Sequence, residues 1–148
     1  MNLSLPTLDA TRALGRKLGA LLMPGDFVAL IGELGAGKTA LVKAIAEGAR
    51  AAPASSPTFA LVNVYEGGRV RLQHLDLYRL AGPADLFALG FDDLLREPAA
   101  TLCEWADKAT AALPADRLEI ALAHAGADAR TARIEATGPR AEALLKAL

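Results

Sequence analysis

Residues of three kinds in this chain have the type and spacing to handle a phosphate anion: a glycine-rich turn, a lysine followed by a threonine, and two acids that end strand-like runs. The turn is Gly32-Glu33-Leu34-Gly35-Ala36-Gly37-Lys38-Thr39, which has the pattern Gly-x-x-x-x-Gly-Lys-Thr. It follows the apolar run Phe27-Val28-Ala29-Leu30-Ile31 and precedes a helical run from Ala40 to Glu47. A loop that wraps a phosphate must aim several backbone N–H groups inward, and Gly32, Gly35 and Gly37 tolerate the φ values this requires. The helix that starts there turns its free N–H groups and the positive end of its dipole to the anion. Lys38 is then within reach of the β- and γ-phosphates, and the Thr39 hydroxyl can ligate Mg²⁺.

Holding a nucleotide is not hydrolysing it. Phosphoryl transfer also needs a carboxylate near the metal and a group that orients the attacking water. In an open α/β sheet the site lies outside the carboxyl ends of the parallel strands. Glu104 follows the apolar Leu102-Cys103, and Asp76 ends a strand two residues after His74. The reading takes Lys38, Asp76 and Glu104 as catalytic, and Thr39, Glu104 and Asp76 as the metal-side groups. The competing readings are a solvated strand end for Asp76 and a helix N-terminal acid for Glu104. His74 alone reads as a core or surface histidine, and Tyr78 and Trp105 read equally as core. Ser56-Pro57-Thr58-Phe59 lies where phosphate-loop proteins carry a nucleotide-sensing loop, or is a Ser-Pro turn entering a strand.

The elements that must position these groups are legible in outline. Residues 2–5 can form a short edge strand. Thr7 is a candidate N-cap for a helix whose apolar face is Ala10, Ala13, Leu14, Leu18, Leu21 and Leu22. Gly15 and Gly19 weaken that helix by about 1 kcal/mol each, which points to close packing there. Phe27–Ile31 is apolar throughout and so belongs in the middle of a parallel sheet. Gly48 is a candidate C-cap. Residues 49–57 read as a loop. Thr58–Tyr65 and Val70–Leu75 read as strands around a Gly67-Gly68 turn. A helix is expected near Pro83–Ala88, then a loop through Pro98, a strand over Ala99–Cys103 and a helix over 106–112. Arg117–Ala123 and Ala132–Ala136 read as strands, and Pro139 opens a last helix.

The 148 residues suit a single domain over 1–148, with 53% hydrophobic and 22% charged residues. A formal net charge of −1 gives no general pull towards DNA or an anionic membrane. Cys103 is the only cysteine, so no internal disulfide is expected. No apolar run reaches the roughly 18 residues that a membrane span needs. No secretory signal is visible, and a cytoplasmic location is expected.

Four motifs taken together, Gly32–Thr39, Ser56–Phe59, His74-Leu75-Asp76-Leu77-Tyr78-Arg79 and Glu104-Trp105, resemble in order and spacing the TsaE (YjeE) family. These are small bacterial ATPases of tRNA threonylcarbamoyladenosine biosynthesis. The resemblance covers roughly residues 7–122. It implies an α/β fold of the P-loop NTPase type, a three-layer sandwich whose mixed sheet has a parallel core and added antiparallel strands. It implies ATP and Mg²⁺, with ATP held by Gly32, Glu33, Leu34, Gly35, Ala36, Gly37, Lys38, Thr39 and Ala40. It also implies a contact near the base from Thr11. The implied partner is the TsaB–TsaD pair, which modifies an adenosine of tRNAs reading ANN codons, with tRNA involved only indirectly. The chain departs from the family at Glu33, where Asp is more frequent, and at Ala40, where a second Thr is common.

Two other readings compete. A small-molecule kinase of the P-loop class needs a substrate lid carrying arginines, whereas Arg69, Arg71, Arg79 and Arg96 are scattered. A GTP-dependent switch needs a guanine-reading Asn/Thr-Lys-x-Asp segment, and the chain has none.

Overall fold

The computed structural model describes residues 1–54, 62–81, 83–88 and 90–148. Strand β1 (Asn2–Leu5) leads into helix α1 (Leu8–Leu21), whose N-cap Thr7 accepts a hydrogen bond from the Ala10 amide. Then come β2 (Phe27–Ile31), α2 (Lys38–Gly48), β3 (Ala52–Pro53), β4 (Val62–Glu66) and β5 (Leu72–Asp76). The second half holds α3 (Pro83–Ala88), α4 (Phe91–Leu95), β6 (Ala100–Glu104) and a 3-10 segment over Ala106–Ala112. It ends in β7 (Leu118–His124), β8 (Arg130–Ala136) and α5 (Pro139–Ala147).

The eight strands among the described residues join one sheet in the order β1-β8-β7-β2-β6-β5-β4-β3. The central pairs β7–β2, β2–β6 and β6–β5 are parallel, and every outer pair is antiparallel. Burial of β2 on both faces explains its unbroken apolar run. On one face Val28, Leu30, Leu102, Leu118 and Ile120 pack under α1, α2 and α5. On the other, Phe27, Ala29, Leu75 and Cys103 pack against α3, α4 and the 3-10 segment. The expected mixed sheet with a parallel core and antiparallel additions is present, with helices on both faces.

Several local expectations need correction. Ala52–Pro53 is not loop but a two-residue edge strand paired with Tyr65 and Glu66, a place where proline does no harm to the ladder. The strand expected over Thr58–Tyr65 is described only over Val62–Glu66. Its first residues, with Ser56, Pro57, Thr58 and Phe59, lie outside the described residues. The return strand starts at Leu72, not Val70, and includes Asp76. The loop expected before Pro98 contains α4, nucleated where Phe91 buries its ring edge-on against Phe27 at 6.3 Å. Residues 106–112 are a 3-10 segment broken at Ala109. Gly48 is not a cap. It lies inside α2, and a Cβ there would sit 2.1 Å from the Arg16 carbonyl oxygen.

That last contact belongs to the α1–α2 seam. A Cβ on Gly15 would lie 2.5 Å from Ala44 Cβ, and one on Gly19 would lie 2.0 Å from the Ile45 carbonyl oxygen. Three glycines let two helix backbones touch, and that presses α2 onto the sheet at the height of the β2 end. The pairing of Gly15 with Leu41 and Ala44, and of Gly19 with Ile45 and Ala49, runs the two helices in the same direction. By the same pairing Thr11, one turn before Gly15, falls level with the start of α2. Gly19→Ala is expected to lower stability by about 2–3 kcal/mol, the cost of forcing a methyl into a filled seam. Urea unfolding followed by circular dichroism measures it.

Candidate functional site

The three adjacent parallel strands β2, β6 and β5 end at the same edge of the sheet. Leu30 pairs with Glu104, and Glu104 pairs with Asp76. Directly paired residues of parallel strands point to the same face. Leu102 and Leu72 of that face pack towards α2, so the two carboxylates lie on the side from which α2 starts. Between them is a cleft of about 240 Å³ lined by Leu34, Gly35, Gly37, Lys38, Thr39, Asp76, Tyr78, Glu104 and Trp105. A larger surface groove of about 500 Å³ lies over β1, β7 and β8. Its lining has no carboxylate, histidine or cysteine, so the chemistry points to the smaller cleft.

The glycine turn has the backbone that its sequence requires. Gly32, Gly35 and Gly37 have φ of 153°, 80° and 107°. The Ala36 amide closes a turn on the Glu33 carbonyl at 3.0 Å, and Gly37 starts α2 in the left-handed region. Lys38 is buried and folds back on the turn. Its ammonium donates to the Gly32 carbonyl and, at 3.0 Å, to the Glu33 carbonyl. Burial pushes the Lys38 ammonium below the ordinary lysine range, opposed by the negative charges of Glu104, Asp76 and Asp107. The same ammonium lies 4.0 Å from the centre of the Trp105 ring. Trp105, directly after Glu104, has φ 58° and ψ 33°, a conformation uncommon for so large a side chain. Its ring packs against Tyr78 at 5.0 Å, and Lys108 donates to the Tyr78 carbonyl from beside the pair.

The two acids differ in surroundings. Asp76 is exposed, and its carboxylate accepts from the Tyr78 amide at 2.9 Å. Glu104 is buried, and its Oε2 lies 2.5 Å from His74 Nε2, while His74 Nδ1 has no hydrogen-bond partner among the described residues. Burial, then the Glu104 charge, push the half-buried Tyr65 phenol upward. Burial, then Asp76 and Glu104, push the Cys103 thiol to about 12, which leaves it a packing residue.

Lys38, Thr39, Asp76 and Glu104 are thus brought to one cleft, with Glu33 and Ala40 beside it on the turn and in the first turn of α2. Thr11 is not among the described residues of the cleft lining; it is buried on α1, and its Oγ1 has no hydrogen-bond partner among the described residues. Among the described residues no trio of His, Cys, Asp and Glu is gathered round a metal position. Mg²⁺ in nucleotide sites needs none, being held by one or two carboxylates and the phosphates themselves, so the donor set of Thr39, Asp76 and Glu104 fits it. Sequence reasoning gave His74 no partner and Trp105 no task. The His74–Glu104 bond is a diagonal contact between strands 30 residues apart in the chain, and only the β5–β6 register reveals it.

A family model described as "Threonylcarbamoyl adenosine biosynthesis protein TsaE" matches residues 5–132. The tRNA threonylcarbamoyladenosine biosynthesis protein TsaE of Bacillus subtilis is 36% identical over 141 residues, covering 95% of this chain and 88% of that protein. The protein of the same name from Treponema pallidum is 38% identical over 109 residues, covering 73% and 80%. The crystal structure of Bacillus subtilis YdiB superposes with a TM-score of 0.83 at 32% identity, covering 99% of this chain and 91% of that one.

His74→Ala strips a buried carboxylate of its partner and is expected to destabilise the fold by about 1–3 kcal/mol. The check is a lower urea midpoint at unchanged slope.

Proposed function

Because the chain belongs to the TsaE family, we propose that it binds and hydrolyses ATP as an accessory protein of tRNA threonylcarbamoyladenosine formation. The observation that carries this reading is the shared edge. The glycine turn, Glu104 and Asp76 stand at the ends of three neighbouring parallel strands, on one face and in direct register. That is the placement a nucleoside triphosphate with its metal requires.

In this reading the amides of the turn and of the first turn of α2 bind the phosphates. Lys38 exchanges the Gly32 and Glu33 carbonyls for phosphate oxygens. Thr39 and Glu104 would hold the metal, with His74 fixing the orientation of the Glu104 carboxylate. Asp76, exposed at the cleft edge, orients the attacking water or supports the metal. When bound, Mg²⁺ supplies charge neutralisation across the phosphates. Trp105 and Tyr78 wall the cleft and keep water from its inner end. Thr11, level with the start of α2, is assigned to the base side, and Ser56–Phe59 to a nucleotide-sensing loop.

The partner in this reading is the TsaB–TsaD pair, and hydrolysis resets that complex between turnovers. The isolated chain therefore turns over slowly, and its partners stimulate it. We take the chain as one cytoplasmic domain. No helix among the described residues is long and apolar enough to cross a membrane.

Trp105 is the only tryptophan, so its emission reports the cleft directly. Lys38→Ala is expected to abolish Mg-ATP binding in a titration followed by that emission. Glu104→Gln and Asp76→Asn are expected to keep affinity within a few-fold and lower turnover about a hundredfold or more. Unchanged turnover in both variants removes the two acids from catalysis. Release of free phosphate, rather than transfer to a small acceptor, separates this reading from a kinase.

A further inference from the structure

Arg130 opens β8, far in sequence from the glycine turn, yet its guanidinium lies against that turn. Nε donates to the Ala36 carbonyl at 3.0 Å and Nη2 to the Gly35 carbonyl at 3.2 Å. Nη1 donates to the carbonyls of Ala127 and Ala129 at 2.9 and 2.8 Å. All four acceptors are neutral, and Arg130 is in none of the ion pairs among the described residues. A fixed fork of donors therefore clamps two successive peptide units of the turn to the β7–β8 hairpin.

The direction of those peptide units follows from peptide planarity. In a trans peptide the C=O and the next N–H point in opposite directions. Holding the Ala36 carbonyl towards Arg130 turns the Gly37 N–H the other way, towards the cleft. Holding the Gly35 carbonyl turns the Ala36 N–H onto Glu33, where its 3.0 Å bond closes the turn. Gly37 has a φ of 107°, which a glycine outside this clamp leaves as readily as it enters. A Cβ at Gly37 would lie 3.9 Å from Arg130 Nε, so the guanidinium packs directly beneath that residue.

We propose that Arg130 is a positioning residue for phosphate binding, clamping the Gly35 and Ala36 carbonyls so that the Gly37 amide faces the anion before the nucleotide arrives. The inference rests on the nucleotide-binding reading above. Arg130 acts through the turn, and its cationic charge lies on the side away from the phosphates. Charge-assisted bonds to carbonyls are roughly twice as strong as neutral ones, so losing the clamp costs about tenfold or more in affinity.

The test uses the 148-residue chain and its Arg130→Ala and Arg130→Lys variants. Calorimetry measures Mg-ADP and Mg-ATP affinity, and amide hydrogen exchange measures protection at Ala36. Arg130→Ala is expected to bind both nucleotides about tenfold or more weakly and to lose protection at Ala36, with protection in the sheet core kept. Arg130→Lys, which keeps the charge but loses the fork, is expected to recover less than half of the lost binding free energy. If Arg130→Ala does not fold, Arg130→Lys carries the test alone, with reduced affinity and reduced Ala36 protection expected. Wild-type affinity in the Ala variant, or full rescue by Lys, overturns the inference while leaving ATP binding in place. Failure of the wild-type chain to bind either nucleotide overturns the functional reading and this inference with it.

Discussion

The register of three parallel strands is the constraint on which the site depends. Side chains on a strand alternate between faces, so a slip of one residue between β5 and β6 would send Asp76 and Glu104 to opposite sides of the sheet. What prevents the slip is burial on both faces. Leu72, Ala100 and Leu102 are claimed by the α2 side, and Leu75 and Cys103 by the α3 side. A slip would carry each of these side chains out of the layer it fills and into the opposite one, so both layers would have to repack. The two carboxylates are thus placed by the leucines that precede them, and chemistry at the strand ends inherits its precision from packing in the strand middles.

Much of this was legible without coordinates because the strongest local signals fall on the most local structure. The glycine turn, α1 and β2 lie within the first forty or so residues, and each is specified by its own neighbours: φ-permissive glycines, a 3.6-residue apolar stripe, and an unbroken apolar run. Gly15 and Gly19 were readable as a close approach, because a glycine inside an otherwise good helix needs a reason. Gly48 misled because the same residue type serves both as a helix end and as a helix contact, and only its 2.1 Å proximity to Arg16 decides between them. The elements that escaped are non-local. Strand β3 exists because β4 offers it an edge, and α4 exists because Phe27 offers Phe91 a partner. Neither cause is written in the segment itself. The His74–Glu104 bond and the clamp at Arg130 escaped for the same reason, since each joins segments distant in the chain that only the sheet brings together.

Lys38 shows how the site is kept ready at low cost. A buried ammonium needs acceptors, and it finds them in the Gly32 and Glu33 carbonyls and in the π-face of Trp105. In the proposed nucleotide-binding role, an incoming phosphate would compete with two neutral carbonyls rather than with bulk water. The exchange favours the anion, because bonds between charged partners are stronger than those to a neutral acceptor. The left-handed backbone at Trp105 costs roughly 1–2 kcal/mol, and such strain persists only where surrounding contacts over-determine it. Tyr78, Lys108 and Lys38 are those contacts, so the indole is held over the lysine by the same residues that close the cleft.

The β7–β8 hairpin beside β2 has a use that goes past extending the sheet. Strand β7 lies beside β2, and its last residues run under the glycine turn: a Cβ on Gly32 would lie 2.6 Å from the Leu122 carbonyl, and one on Gly35 would lie 3.7 Å from His124 Nε2. The turn therefore rests on a floor of backbone and ring from β7 and on the guanidinium that opens β8. A glycine-rich loop is entropically expensive to hold in one shape, and a helix N-terminus fixes only its far end. The β7–β8 hairpin supplies the missing support along the middle. A chain that kept β2, α2, β5 and β6 but lost this hairpin would retain every residue assigned to chemistry and lose the surface that gives the loop its shape. The structural support of the turn is accordingly larger than its motif, and it reaches at least to Arg130.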